Sequence, residues 1–189
     1  DDVDLIMPLD DFDRFKEIAQ LELGEKYFVQ TCMNDPEFPK VFLKVRREDS
    51  YICEDKWENR RMHAGIYIDI MPLAGFPAGK WNRKIFLHAF SFWEQLCSFD
   101  KPVTGHLSVK ILFAVMKKLP LKFRYGMREC VLRLSDHLAG NSGLVCSYGS
   151  HYKPMTRRVM QQSWFTGNEQ MNFEGQDFYV PAGWKDYLE

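Results

Sequence analysis

The chain has 189 residues, 46% hydrophobic and 15% aromatic, with a formal net charge of -1. That length and composition suffice for one domain with a substantial core, and the near-zero charge excludes a global electrostatic case for a nucleic-acid partner. Five scattered cysteines, Cys32, Cys53, Cys97, Cys130 and Cys146, show no CxxC pairing and no histidine at zinc-finger spacing; they read as reduced thiols in a cytosolic setting.

The chain opens Asp1-Asp2-Val3-Asp4 and runs into Leu5-Ile6-Met7, which reads as the end of a short strand. Residues two apart on a strand share a face, so Asp2 and Asp4 are expected to project together. After Pro8, Asp10 or Asp11 is predicted to cap a helix carrying Phe12, Phe15, Ile18, Ala19 and Leu21, ended by Gly24. Strands are predicted over residues 27–32, 41–46 and 51–54, with a two-proline turn at residues 34–39. A further strand runs from Ile66 to Met71-Pro72-Leu73, with Ile66, Ile68 and Ile70 on one face and Tyr67, Asp69 and Met71 on the other.

From residue 80 to about 138 the pattern turns helical. Trp81, Ile85, Phe86, His88, Ala89, Phe92, Trp93 and Leu96 mark one apolar helix; residues 107–119 and 124–138 mark two more. Charge there is lopsided: Lys101, Lys110, Lys117, Lys118, Lys122, Arg124, Arg128 and Arg133 face Glu129 alone. Such an insert is either an ordinary helical subdomain with solvated cations, the reading the sequence favours, or a surface for an anionic membrane. Residues 140–150 read as a loop, and the stretch from residue 151 as irregular, with a final helix near Trp184. No apolar run is long enough to span a membrane, and no signal peptide is visible. Both ends read as cut inside motifs, so the chain is expected to be a fragment of a catalytic domain.

Asp2, Asp4 and Asp69, converging from two strands, would repel one another unless a hard divalent cation, Mg²⁺ or Mn²⁺, lay between them. Alternatively they are a solvated acidic end and a strand-edge charge. Lys44 and Arg46 share a strand face and suit phosphate oxygens beside such a metal, a kit for phosphoryl transfer. Without the carboxylates they would read as the solvent face of an edge strand. His63 precedes the Asp69 strand, where it is either an acceptor-assisting or a structural residue. GxSxG, P-loop and GxGxxG motifs are absent.

Taken in order, these segments resemble the LicD family of bacterial phosphocholine transferases, to which the fukutin-related proteins are also similar. Asp1-Asp2-Val3-Asp4 matches the last four residues of that family's Pro-Trp-Asp-Asp-Asp-(Ile/Val)-Asp signature. Lys44-Val45-Arg46 with Ser50 and Glu54 is similar to its Lys-x-Arg…Thr…Glu pair. Gly65-Ile66-Tyr67-Ile68-Asp69-Ile70-Met71-Pro72-Leu73 is similar to its Gly-hydrophobic-Ile-Asp element, and Phe173-Glu174-Gly175, Val180-Pro181 and Tyr187-Leu188 to its closing pattern. The chain departs from the pattern at Ser50, where Thr is commoner, and at Ala74, where Asp is frequent.

The resemblance implies an α/β (α+β) fold: a nucleotidyltransferase-like small mixed sheet with packed helices, residues 80–138 forming a helical insert in a single domain. It implies transfer of a phospho-alcohol, phosphocholine above all, from a CDP-activated donor such as CDP-choline to a hydroxyl of a glycan or teichoic-acid precursor. Asp2, Asp4 and Asp69 would hold the metal, Lys44 and Arg46 the phosphates, and Glu54 would orient the acceptor. The expected setting is cytoplasmic, with peripheral contact at the inner membrane face if the acceptor is lipid-linked, and no nucleic acid. Competing expectations are the same chemistry with ribitol or glycerol phosphate, or a non-catalytic glycan-binding or membrane-associated module on a degenerate transferase fold.

Overall fold

A first strand, β1 (Asp4–Pro8), turns at Pro8 straight into a helix, α1 (Leu9–Leu23). The computed structural model describes residues 4–52, 60–103, 106–149 and 159–188. Pro8 itself is the residue before the helix, so Asp10 and Asp11 sit inside the first turn and make no side-chain cap bond. They still favour the helix, because carboxylates near its N-terminus complement the unpaired backbone N–H groups there. Leu9, Phe12 and Ala19 face inward as the periodicity requires, whereas Ile18 and Leu21, expected on that face, are exposed. Gly24 ends the helix with φ 67° and ψ -166°, a backbone region open essentially to glycine.

Strands β2 (Tyr27–Gln30), β3 (Leu43–Arg47) and β4 (Tyr67–Gly75) follow. β2 stops two residues short of the predicted end because Asn34 Oδ1 accepts hydrogen bonds from the Thr31 backbone N–H and hydroxyl, folding the chain into a turn. The strand predicted over residues 51–54 does not form at Tyr51 and Ile52; Cys53 and Glu54 lie outside the described residues.

β4 is the axis of the sheet. Ile70 lies between Leu5 and Leu43, and Leu73 between Pro8 and Ser147. β1 therefore runs parallel along one edge of β4, while β3 and β5 (Leu144–Ser147) share the other edge, both antiparallel. β2 and β6 (Val159–Gln161) extend the sheet outward. β5 falls in the stretch predicted as a loop. The glycines before it do make the turn, Gly140 and Gly143 at φ 49° and 66°, but a strand of four residues is too short to show an alternation.

The helical stretch divides into α2 (Lys80–Ser98), α3 (Leu107–Met116) and α4 (Leu121–His137). Phe86 and Phe90 of α2 and Leu132 of α4 share one core cluster with Ala74 of β4 and Cys146 of β5. These helices thus build the main core rather than standing apart from it. Trp81 and Ile85, expected on the apolar face of α2, are exposed.

After β6 a short 3-10 turn (Gln162–Phe165) leads to a hairpin, β7 (Asn168–Phe173) with β8 (Gln176–Pro181), and then α5 (Trp184–Leu188). The hairpin falls in the stretch expected to be irregular. Its turn is Glu174-Gly175, with φ values of 50° and 82°, the paired positive φ of a two-residue hairpin turn. The result is a mixed α+β fold, with five α-helices and a largely antiparallel sheet with one parallel pair among the described residues.

Candidate functional site

Alternation along β4 divides the sheet into two faces. Ile70 and Ala74 point at the helices, while Tyr67, Asp69 and Leu73 point the other way. On that second face Leu73, Val145 and Met160 are covered by Trp164, Phe165 and Tyr187. The remaining end of the face is polar.

The strand register sets four polar residues in one row across it. Asp4 on β1 is the partner of Asp69 on β4, Asp69 of Lys44 on β3, and Lys44 of Gln30 on β2. Partners in register lie about 5 Å apart at Cβ and share a face. The predicted juxtaposition of Asp4 and Asp69 is thus present, with Lys44 on the far flank. Lys44 Nζ lies 2.8 Å from Asp69 Oδ1 and 3.0 Å from the centroid of the Tyr67 ring. The ammonium group is held by a carboxylate and a π face at once. Asp4, at the open end of the row, is exposed, whereas Lys44 is buried.

Arg46 has a different environment from the one expected of a phosphate clamp. It is 1% exposed, and it donates from Nε to Gln30 Oε1 at 2.6 Å and from Nη1 to the Gly65 carbonyl at 2.6 Å. Its guanidinium carbon lies 4.8 Å from the Tyr67 ring. Gln30 in turn donates to Asp35 Oδ2 at 2.7 Å. Arg46 therefore braces the row through Gln30, from the same face, and adds positive charge beside it.

His63 stacks on Phe28 with 4.5 Å between ring centroids and places Nε2 3.0 Å from Glu48 Oε2; its backbone N–H donates to Asp35. It joins the supporting network rather than the carboxylate row. Asp2 and Glu54 lie outside the described residues. Gln30, Asp35 and Tyr67 carry this arrangement; sequence reasoning set Tyr67 on the Asp69 face but gave Gln30 and Asp35 no place in it. For Gln30 the legible signal was the alternation in Tyr27-Phe28-Val29-Gln30, which sets it on the face opposite the apolar Val29.

Among the described residues no three His, Cys, Asp or Glu side chains are grouped closely enough to hold a metal ion. Two neighbouring carboxylates are nevertheless a fit for Mg²⁺, which keeps several waters and binds through one or two carboxylates plus substrate phosphates. A cavity lined by Phe12, Cys32, Phe42, Leu43 and Arg128 lies on the helical side, away from Asp69. The described cysteines are all free. Burial pushes the Cys97 thiol up to about 11 and raises Cys32 as well, so neither is a ready thiolate nucleophile.

No family model, curated protein or solved structure matches the chain.

Proposed function

We propose that the chain catalyses metal-dependent transfer of a phospho-alcohol, phosphocholine first among the candidates, from a CDP-activated donor to a hydroxyl of a cell-surface glycan or teichoic-acid precursor. The fold would be the nucleotidyltransferase-like one that the motif resemblance implies. The observation that carries this is the row of Asp4, Asp69 and Lys44: two carboxylates side by side on neighbouring strands, flanked by a cation on the same face.

Asp4 and Asp69, with Asp2 as the expected third ligand, would hold Mg²⁺ or Mn²⁺. When bound, such an ion would neutralise charge on the diphosphate and on the departing CMP. Lys44 balances Asp69, and the same ammonium group would neutralise a donor phosphate oxygen. Tyr67, with the Arg46 guanidinium also on its ring, helps hold that ammonium group in place. The acceptor hydroxyl oxygen would attack the phosphorus that carries the alcohol. The bond from that phosphorus to the CMP oxygen would break, CMP leaving with the electron pair, and the hydroxyl proton would pass to a carboxylate or to water. Charge stabilisation and positioning would supply most of the rate.

The burial of Lys44 and Arg46, 3% and 1% exposed, favours one competing reading, a purely structural network on a glycan-binding module. Titration calorimetry of CDP-choline separates the two. Transfer chemistry requires binding in Mg²⁺ that disappears in EDTA. Asp4→Asn should weaken it by more than the roughly 10- to 100-fold cost of losing an outer-sphere partner of a metal. Equal affinity in EDTA and in the variant, or no binding of CDP-choline, CDP-ribitol or CDP-glycerol in Mg²⁺, would sink the transferase reading.

A further inference from the structure

No Asp or Glu occurs between Lys101 and Arg128, and the fold sorts the cations of that stretch into two groups. Arg128 is buried against Glu94 at 2.6 Å, and Arg124 donates to the Leu96 carbonyl. Lys117 reaches the Phe99 carbonyl at 2.6 Å and Asp100 at 3.5 Å. Lys101, Lys110, Lys118 and Lys122 are exposed. The internal group therefore holds the helices together, and an all-lysine group is presented outward around α3.

α3 itself is built inside out for a helix bounded by water. Its one buried residue is Phe113, which packs with Trp93 and Leu96. At about 100° per residue, Ile111 and Val115 fall on the side opposite Phe113, and Leu107 continues their stripe one turn earlier. These are 72%, 57% and 58% exposed, with Leu112 beside them at 50%. A helix on the surface of a globular domain normally shows charged residues there. No helix among the described residues is long and apolar enough to cross a membrane, and α3 has only 10 residues.

We propose that α3 lies in the plane of an anionic lipid surface, its Leu107–Ile111–Val115 stripe inserted among the acyl chains and its lysines on the headgroups. An aliphatic stripe rimmed by lysine is the pattern of an interfacial helix. Protein interfaces select against it, since they are depleted in lysine and enriched in arginine and aromatic residues. Here the arginines of the stretch, Arg124 and Arg128, are the cations turned inward. Phe123, 48% exposed beside Lys122 at the start of α4, extends the same apolar-cationic character.

Flotation of the chain with vesicles tests this. It should float with phosphatidylcholine vesicles containing about a third phosphatidylglycerol and stay behind with phosphatidylcholine alone. Lys110→Gln and Lys118→Gln should each lower the partition coefficient about fivefold, and raised salt should do the same. Ile111→Asp with Val115→Asp should abolish flotation while leaving the circular dichroism spectrum unchanged; the lysine variants stand as the second arm if that pair fails to fold. Failure to float, or flotation insensitive to the lysines and the stripe, overturns the proposal. So does a lipid-free dimer, seen by light scattering, that Ile111→Asp disperses, because the stripe would then belong to a second copy. No CDP-alcohol enters the measurement, so its outcome is independent of the transferase reading.

Discussion

Glu94 and Arg128 meet at 2.6 Å with side chains 6% and 1% exposed. Stripping water from both charges is costly, and the attraction between them offsets that cost only when the remaining donors and acceptors are also met. Arg128 meets part of the requirement by donating to the Pro39 carbonyl, and Lys40 lies 3.9 Å from the second Glu94 oxygen. The cluster pins α2, α4 and the segment between β2 and β3 at one point. Glu94→Ala removes an acidic partner that both cations share. It should lower stability by about 3–5 kcal/mol in urea denaturation. A loss under about 1 kcal/mol would mean that water reaches the two cations as soon as the glutamate is gone. Lys44 and Asp69 form a comparably buried pair on the opposite face of the sheet, where Asp4 brings a second carboxylate alongside.

At the scale of elements, α1 is tied to α4 by Asp13 and Arg133, whose two hydrogen bonds measure 2.7 Å and 2.9 Å, with Lys16 and Glu129 beside them. Partial burial pushes the Asp13 carboxyl up, but the Arg133 guanidinium outweighs it and holds the carboxyl below the usual carboxylate range. A carboxyl depressed by folding stabilises the fold above its unfolded value and stops doing so as pH falls through its folded value. The contribution is therefore present at neutral pH and disappears below about pH 4. Arg133 is half exposed, so the pair contributes only about 0–1 kcal/mol. Asp13→Asn should destabilise the protein by less than about 1 kcal/mol at pH 7, with the two proteins converging below about pH 4, as followed by denaturation at a series of pH values. A gap that stays constant however far the pH is lowered would assign the effect to something other than the carboxylate charge.

Across the whole molecule, stability should be uneven. β4 pairs with β1, β3 and β5 and has α1 and α4 packed on it. Among the described residues the β7–β8 hairpin pairs only with itself, and nearly all its residues are exposed. Backbone amides open by local unfolding where few buried contacts hold them. Hydrogen exchange followed by NMR should find Ile70 and Ala74 exchanging at least ~100-fold more slowly than Met171 and Tyr179. Equal protection would show that the hairpin unfolds only together with the main sheet.

Periodicity made β4 and the helices legible in the sequence, and it separated Asp69 from its apolar neighbours before any partner was known. Those features depend on residues a few positions apart, and a strand or helix turns them into faces by its own geometry. The same local signals failed at β5, too short to alternate, and at the hairpin, where Glu174-Gly175 read as motif rather than turn. Only the tertiary structure decided that β1 lies parallel to β4 and so brings Asp4 beside Asp69. It alone decided that Arg46 is walled in by Gln30 and Gly65, and which cations of residues 101–133 turn inward. Strand register and burial are settled by segments far apart in the chain competing for the same core, and no local stretch of sequence carries the outcome of that competition.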